Sequence, residues 1–230
     1  MARKPRRKPA APRAASDGKS NRERVIAAFM ALLAEKPIER IGFAEIAQRA
    51  RVSLSELRDL FPSTLAILAA QVKEIDRAVL AGGEDDMGEE PPRERLFDVL
   101  MRRLELLEPH KAAVRSLQRS AARNPGLALA LNGLAVRSQQ WMLTAADIGS
   151  AGPRGMLRAQ GLSLLFASVL RTWVDDDDPG HAPTMAALDR ALARGQRWSG
   201  MLDDLCRFSP GRCVRRRRHR RDEDEEPAAA

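Results

Sequence analysis

The chain has 230 residues, enough for one sizeable core or two small ones. Hydrophobic residues make up 44%, mostly Ala and Leu, while aromatics are 4% and Tyr is absent, which argues against a β-rich fold because strands favour aromatic and β-branched side chains. The net charge of +8 sits at the ends: residues 1–24 carry +7 and residues 212–230 carry +2, leaving −1 between them, so the basic total does not by itself make the body a nucleic-acid binder.

In chain order, residues 1–20 are rich in Pro, Ala and Arg and predict a disordered basic arm. Asn21 is the expected N-cap of a first helix in which Val25, Phe29, Leu32 and Leu33 recur at helical spacing until Pro37 stops it. A short second helix is expected over Phe43 to Ala50. Ser53, with Glu56 three residues on, makes a capping-box pattern at the start of a third helix that ends at Phe61-Pro62. A fourth helix is expected from Ser63 to Leu80, with Leu65, Leu68, Val72, Ile75 and Val79 on one side. The Gly-, acid- and Pro-rich segment 81–92 reads as a solvated linker.

Beyond the linker, helices are expected over Arg93 to Leu107, Pro109 to Arg123, Pro125 to Ala146, Pro153 to Val174 and Ala182 to Cys206. The prolines among these starts sit at first helical turns, where a missing N–H costs little. Residues 209–230 form a self-neutralising charged tail that is expected to be disordered. No apolar run approaches the ~18 residues of a bilayer span. The N-terminus lacks the apolar segment of a secretory signal, and Pro5, Pro9 and Pro12 interrupt the helix of a transit peptide, so a cytoplasmic location is expected. Cys206 and Cys213 match no metal spacing and are expected to be reduced thiols.

Residues 42–61, GFAEIAQRARVSLSELRDLF, carry the pattern of a helix-turn-helix. Ile46 and Ala47 face the core from the first helix, Val52 plugs the turn, and Leu57 and Phe61 bury the underside of the second. The opposite face of the second helix is then free to enter a DNA major groove, N-terminus first.

From Val25 to Ser63 the residues also resemble the DNA-binding domain of the TetR family of transcriptional regulators. The resemblance rests on Leu32-Leu33-Ala34-Glu35-Lys36, Phe43-x-x-Ile46-Ala47, Val52-Ser53 and Leu57-x-x-x-Phe61-Pro62-Ser63. It implies an all-α, TetR-like fold: a three-helix DNA-binding domain over 21–66, a connecting helix over 67–80, the linker over 81–92, and a helical ligand-binding and dimerisation domain over 93–208. It also implies a homodimer that binds a double-stranded operator as a repressor or other regulator. The expected DNA-facing residues are Ser53, Leu54, Ser55, Arg58, Asp59 and Thr64, joined by Arg6, Arg7 and Lys8 of the arm.

This sequence departs from the family pattern in places that bear on DNA reading. Arg51 stands where the family usually has Gly, because the turn needs a positive φ that costs a non-Gly residue about 1 kcal/mol. The two recognition-helix tyrosines are replaced by Arg58 and Leu60, Thr64 replaces a common Lys, and Glu56 and Asp59 are expected to face the negative DNA backbone. An acid there can accept from a cytosine amino group, or serve capping and solubility instead.

The C-terminal part resembles the COQ9 family, TetR-fold proteins that bind isoprenoid lipids. The carrying residues are Pro109-His110-Lys111-Ala112-Ala113-Val114-Arg115, Trp173-x-Asp175-Asp176-x-x-Pro179-Gly180, Thr184 and Leu188-Asp189-Arg190. That resemblance implies an accessory protein that keeps the fold and no longer binds DNA. Both resemblances imply an apolar or isoprenoid small-molecule ligand, and the candidate lining residues are Leu100, Leu104, Leu117, Leu131, Leu134, Trp141, Met142 and Phe166. Trp141 with Met142 is the expected ligand wall; ordinary core packing accounts for the same apolar pattern. Gly161, Ser163, Ala167 and Ser168 put small residues along one helix, as a close dimer seam would.

Asp175 to Asp178 carry the oxygen ligands that a divalent cation would need, but the expected reading is a solvated loop in which Asp178 or the Asp-Pro pair opens the next helix. His110, His181 and His219 have no nucleophile or carboxylate at helical spacing, so no catalytic constellation, cofactor or metal is expected. Three readings follow: a TetR-type regulator, a lipid-binding accessory protein, and a purely structural dimerisation protein.

Overall fold

The computed structural model describes the backbone of residues 20–82 and 90–207, with side chains through residue 195. The arm residues Arg6, Arg7 and Lys8, most of the expected linker and the charged tail lie outside the described residues. The described residues are helical and contain no strand: α1 (Asn21–Glu35), α2 (Phe43–Ala50), α3 (Leu54–Leu60), α4 (Thr64–Ala81), α5 (Pro92–Leu107), α6 (Lys111–Arg123), α7 (Pro125–Ala145), α8 (Gly152–Trp173) and α9 (Ala182–Arg207). No described helix is long and apolar enough to cross a membrane.

Helix starts follow their local chemistry. Ser20, one residue ahead of the expected Asn21, caps α1: its hydroxyl accepts from the Glu23 N–H while the Glu23 carboxylate accepts from the Ser20 N–H. Asn124 caps α7 by accepting from the Leu127 N–H at 3.0 Å, with Pro125 at the first helical position. The Ser63 hydroxyl accepts from the Ala66 N–H at the start of α4. Two short 3-10 turns, Ile38–Arg40 and Glu108–His110, were not foreseen.

The chain divides into two compact units, and the division is not contiguous. The first comprises residues up to Glu74 together with Pro109–Ala128; the second comprises Ile75–Glu108 and the chain from Leu129 onward. The expected boundary at the 81–92 linker therefore differs from the observed one, and α6 belongs with the N-terminal helices. In the first unit α1 packs on α2 and α6 around Val25, Phe29, Leu33, Ile46, Leu57 and Ala113, all buried. Polar contacts tie α6 in: the Ser116 hydroxyl donates to the Lys36 carbonyl and the Ser120 hydroxyl to Glu39. The exposed Glu35–Arg49 pair joins α1 to α2, and its hydrogen bond lowers the Glu35 pKa.

In the second unit α9 packs on α8 and α5, with Leu100, Leu104, Met142, Phe166, Trp173 and Leu188 in the core. Burying charge is costly unless it is paired and hydrogen-bonded. Here Arg103 of α5 donates to Asp76 of α4, which also accepts from the Ser138 hydroxyl of α7, and the guanidinium lies over the Phe166 ring. Arg95 donates to the Ala146 carbonyl at the end of α7 and to the Glu90 carbonyl. Gly155 is required by close approach, since a Cβ there would lie 2.1 Å from the carbonyl carbon and oxygen of Ser150.

The Asp175–Asp178 run is a helix-joining loop, and no group of described residues forms a metal cluster. Asp176 is buried at the α8–α9 junction and accepts from the Thr184 hydroxyl, the Thr184 N–H and the Asp178 N–H, while Asp178 accepts from the Ala182 N–H. The Thr184 hydroxyl, with the two N–H groups, holds the Asp176 pKa below its ordinary 3.8, against the upward push of burial. A depressed carboxylate contributes stability that is complete above its ordinary pKa and lost as pH falls through the depressed one. Asp176→Ala should therefore lower the unfolding free energy by about 2–3 kcal/mol at pH 7 in urea titrations. The gap between variant and wild type should narrow as the pH drops below 3.8 and the carboxylate protonates.

Candidate nucleic-acid interface

The helix-turn-helix is built from α2, the 51–53 turn and α3. The α2 helix ends with Arg51 in the left-handed region, at φ 54° and ψ 46°, as expected where a glycine would be favoured. The Arg51 N–H bonds the Gln48 carbonyl and the Val52 N–H the Ala47 carbonyl, so the turn stays closed despite the unfavourable backbone.

Ser53 then opens α3 with a complete capping box: its hydroxyl accepts from the Glu56 N–H at 3.1 Å, and Glu56 Oε2 accepts from the Ser53 N–H at 2.9 Å. Glu56 Oε1 also accepts from Asn21 of α1 at 3.3 Å. The capping role expected of Glu56 is therefore present. Its carboxylate is spent on the helix cap and on α1, because the N3 position points back toward the cap. Glu56 keeps its charge in the cap, and Asp59 is the acid on the exposed face of α3.

The register of α3 follows. Leu57 is 1% exposed, Phe61 is buried and lies under the Arg22 guanidinium at 4.9 Å from its ring centroid, and the outward face carries Ser53, Leu54, Ser55, Arg58 and Asp59. Five of the expected DNA-facing residues therefore share one exposed surface. The Ser53 hydroxyl is already occupied, donating to Glu56 as well as accepting. Arg58 is exposed and donates to the Pro62 carbonyl at 3.3 Å, a contact it can exchange for another acceptor. Thr64 is half-buried as the first residue of α4.

Two features escaped the sequence reading. Gly42 precedes α2 without a side-chain cap, so the first N–H groups of α2 are left for another acceptor. Phe43 beside it is 46% exposed. The signal was a glycine ahead of a helical run where Ser, Thr or Asp is usual.

The expected ligand-lining residues do not form one set. Leu117 belongs to the first unit, whereas the others belong to the second. Leu100, Leu104, Met142 and Phe166 are buried there, and Leu131 and Leu134 are half-buried. Trp141 is 57% exposed, which corrects its assignment to an interior wall beside Met142. Successive helical residues point about 100° apart, and on α7 the buried side takes Met142 and Leu143 and leaves Trp141 out. A shallow groove of about 410 Å³ lies elsewhere, in the first unit, between Pro37, Glu39, Arg40, Ser120 and Arg123. On α8, Ser163 is buried and bonds Asn132, so it leaves the expected small-residue seam; Gly161, Ala167 and Ser168 are exposed. Leu157 and Leu164 are exposed on the same helix. Trp173, Asp176, Thr184 and Leu188, which carried the second resemblance, are all buried at or near the α8–α9 junction.

No family model and no curated protein matches the sequence. Solved structures do. A TetR transcriptional regulator from Nitrosomonas europaea is similar at TM-score 0.58 and 20% identity, over 76% of this chain and 97% of that one. A TetR transcriptional regulator from Rhodococcus sp. is similar at TM-score 0.53 and 24% identity, over 76% and 95%. A TetR-family transcriptional regulator from Streptomyces coelicolor is similar at TM-score 0.51 and 18% identity, over 85% and 95%. The chain therefore has the TetR-like all-α fold.

The left-handed Arg51 has a measurable consequence. Arg51→Gly should stabilise the protein by about 1 kcal/mol, read as a rise in the thermal midpoint, because glycine adopts this conformation without a Cβ clash.

Proposed function

We propose that this chain is a TetR-type transcriptional regulator: a homodimer whose α3 helices enter successive major grooves of a palindromic operator. The observation that carries the reading is the outward face of α3, where Leu54, Ser55, Arg58 and Asp59 are exposed while the capping box and Leu57 hold the opposite side. A helix held this way presents base-reading side chains at its N-terminal end, and the uncapped start of α2 supplies N–H donors for a phosphate. The basic arm with Arg6, Arg7 and Lys8 adds salt-dependent attraction to the duplex.

The exposed Leu157 and Leu164 of α8, with Gly161 and Ser168 at helical spacing between and beyond them, support α8 as the face that meets a second copy. Within the second unit, the Gln139 Oε1 and Arg103 Nε atoms are buried without a hydrogen-bond partner. They sit in a unit whose core includes Leu100, Leu104, Met142 and Phe166, which supports an effector that is mainly apolar with one polar group. Asp76, the partner of Arg103, lies on α4, and α4 continues from the helix-turn-helix side of the chain. An effector that displaced Arg103 would act on that helix and so on operator binding.

The test begins with selection of preferred duplexes from a random pool. Arg58→Ala should weaken binding to the selected duplex by roughly 1–3 kcal/mol and relax preference at one position of each half-site. Unchanged affinity would remove Arg58 from the interface. Leu164→Glu should shift the protein from dimer to monomer in sedimentation equilibrium, since it places a charge in an apolar seam. If no duplex is preferred, the isoprenoid-lipid reading takes precedence, with binding of a long-chain isoprenoid as its direct assay.

A further inference from the structure

We infer that Leu54 is a base-reading residue that takes the C5-methyl group of a thymine in each half-site; this rests on the proposed DNA-binding role of α3. Leu54 is the first residue of α3 and is 57% exposed. Its direction is set by its neighbours. Arg58, four residues on and next to Leu54 on the helix surface, is exposed as well, while Ser53 and Glu56 are held in the cap and Leu57 is 1% exposed against the core. Leu54 therefore stands at the end of the helix that enters a groove first, and it does so as the one large apolar side chain on the outward face of α3.

The other outward residues are polar or charged. The Ser53 hydroxyl is committed to Glu56, while Ser55, Arg58 and Asp59 offer a hydroxyl, a cation and an anion. Those groups suit hydrogen-bonding base edges and oppose placement against a methyl. Leucine has neither donor nor acceptor, so it reads no hydrogen-bonding edge and would desolvate one at a cost. The major groove offers it one apolar partner, the thymine methyl. Burying that methyl against the leucine side chain discriminates thymine from uracil, which presents the same hydrogen-bonding edge without it.

The experiment uses the full chain and the duplex selected by it from a random pool. Each thymine is replaced in turn by deoxyuridine, which removes one methyl and leaves the base pairing and the protein unchanged. The expected result is one thymine per half-site whose replacement weakens binding about fourfold, the effect of exposing one buried methyl. Leu54→Ala, a change at an exposed position with little core to lose, should bind thymine and deoxyuridine duplexes equally. A selected duplex in which no deoxyuridine replacement matters overturns the assignment while leaving the regulator reading intact. So does a thymine effect of unchanged size in Leu54→Ala. Failure to enrich any duplex overturns both.

Discussion

Everything proposed for the DNA-facing side of this protein depends on how one short helix is clamped. The seven residues of α3 are too few to be helical alone, since nucleating a helix is unfavourable and each end leaves orphan backbone groups. The Ser53–Glu56 capping box satisfies the N-terminal end, and Glu56 extends the clamp by accepting from Asn21 of α1. Leu57 and Phe61 supply the burial that makes the helix persist. These contacts fix the rotation of α3 about its axis, and the rotation decides which residues face outward. A rotation by one residue, about 100°, would take Leu54 and Arg58 off that face and bring Leu57 out of the core.

The same clamp explains the composition of α3. An acid three residues into α3 looks hostile to DNA, yet Glu56 serves the cap and the α1 contact. The cost is carried instead in the preceding turn, where Arg51 holds a left-handed backbone. Two hydrogen bonds from Arg51 and Val52 back to α2 offset that cost and keep the helices at their crossing. Stability in the second unit is organised differently. There Arg103 is paired with Asp76 and the Asp176 carboxylate is held in its charged form by hydrogen bonds from Thr184, so that the helices are joined by specific polar links as well as by Leu and Ala packing. Buried unpartnered atoms on Gln139 and Arg103 leave that interior with hydrogen-bonding capacity to spare.

Local chemistry was legible in the sequence. The Ser53-x-x-Glu56 spacing, the helical run Phe43 to Ala50, the need for positive φ at Arg51 and the prolines Pro125 and Pro153 at helix starts each depend on residues a few positions apart, and each stands where expected, whereas Pro109 falls in a 3-10 turn ahead of α6. The membership of α6 in the first unit was not legible, because it rests on packing and on contacts such as Ser120 to Glu39 across about eighty residues. Nor was the burial of Arg95 and Arg103, whose charges look solvent-facing until a carbonyl or Asp76 is brought to them by the fold. Trp141 and Met142 show the limit on helical phase: both are apolar and adjacent, and only tertiary packing decides that Met142 is buried and Trp141 exposed.

The most direct test of the regulator account is an equilibrium titration of the chain lacking residues 1–19, which keeps the Ser20 cap of α1, against its selected palindromic duplex and a scrambled duplex of the same length, across a range of salt. The account predicts a preference of about a thousandfold or more that survives removal of the arm, because the specificity resides in α3. Salt should weaken both complexes while the preference persists. Equal affinity for the two duplexes, or binding that disappears with the arm, would contradict it and leave only a nonspecific electrostatic tail.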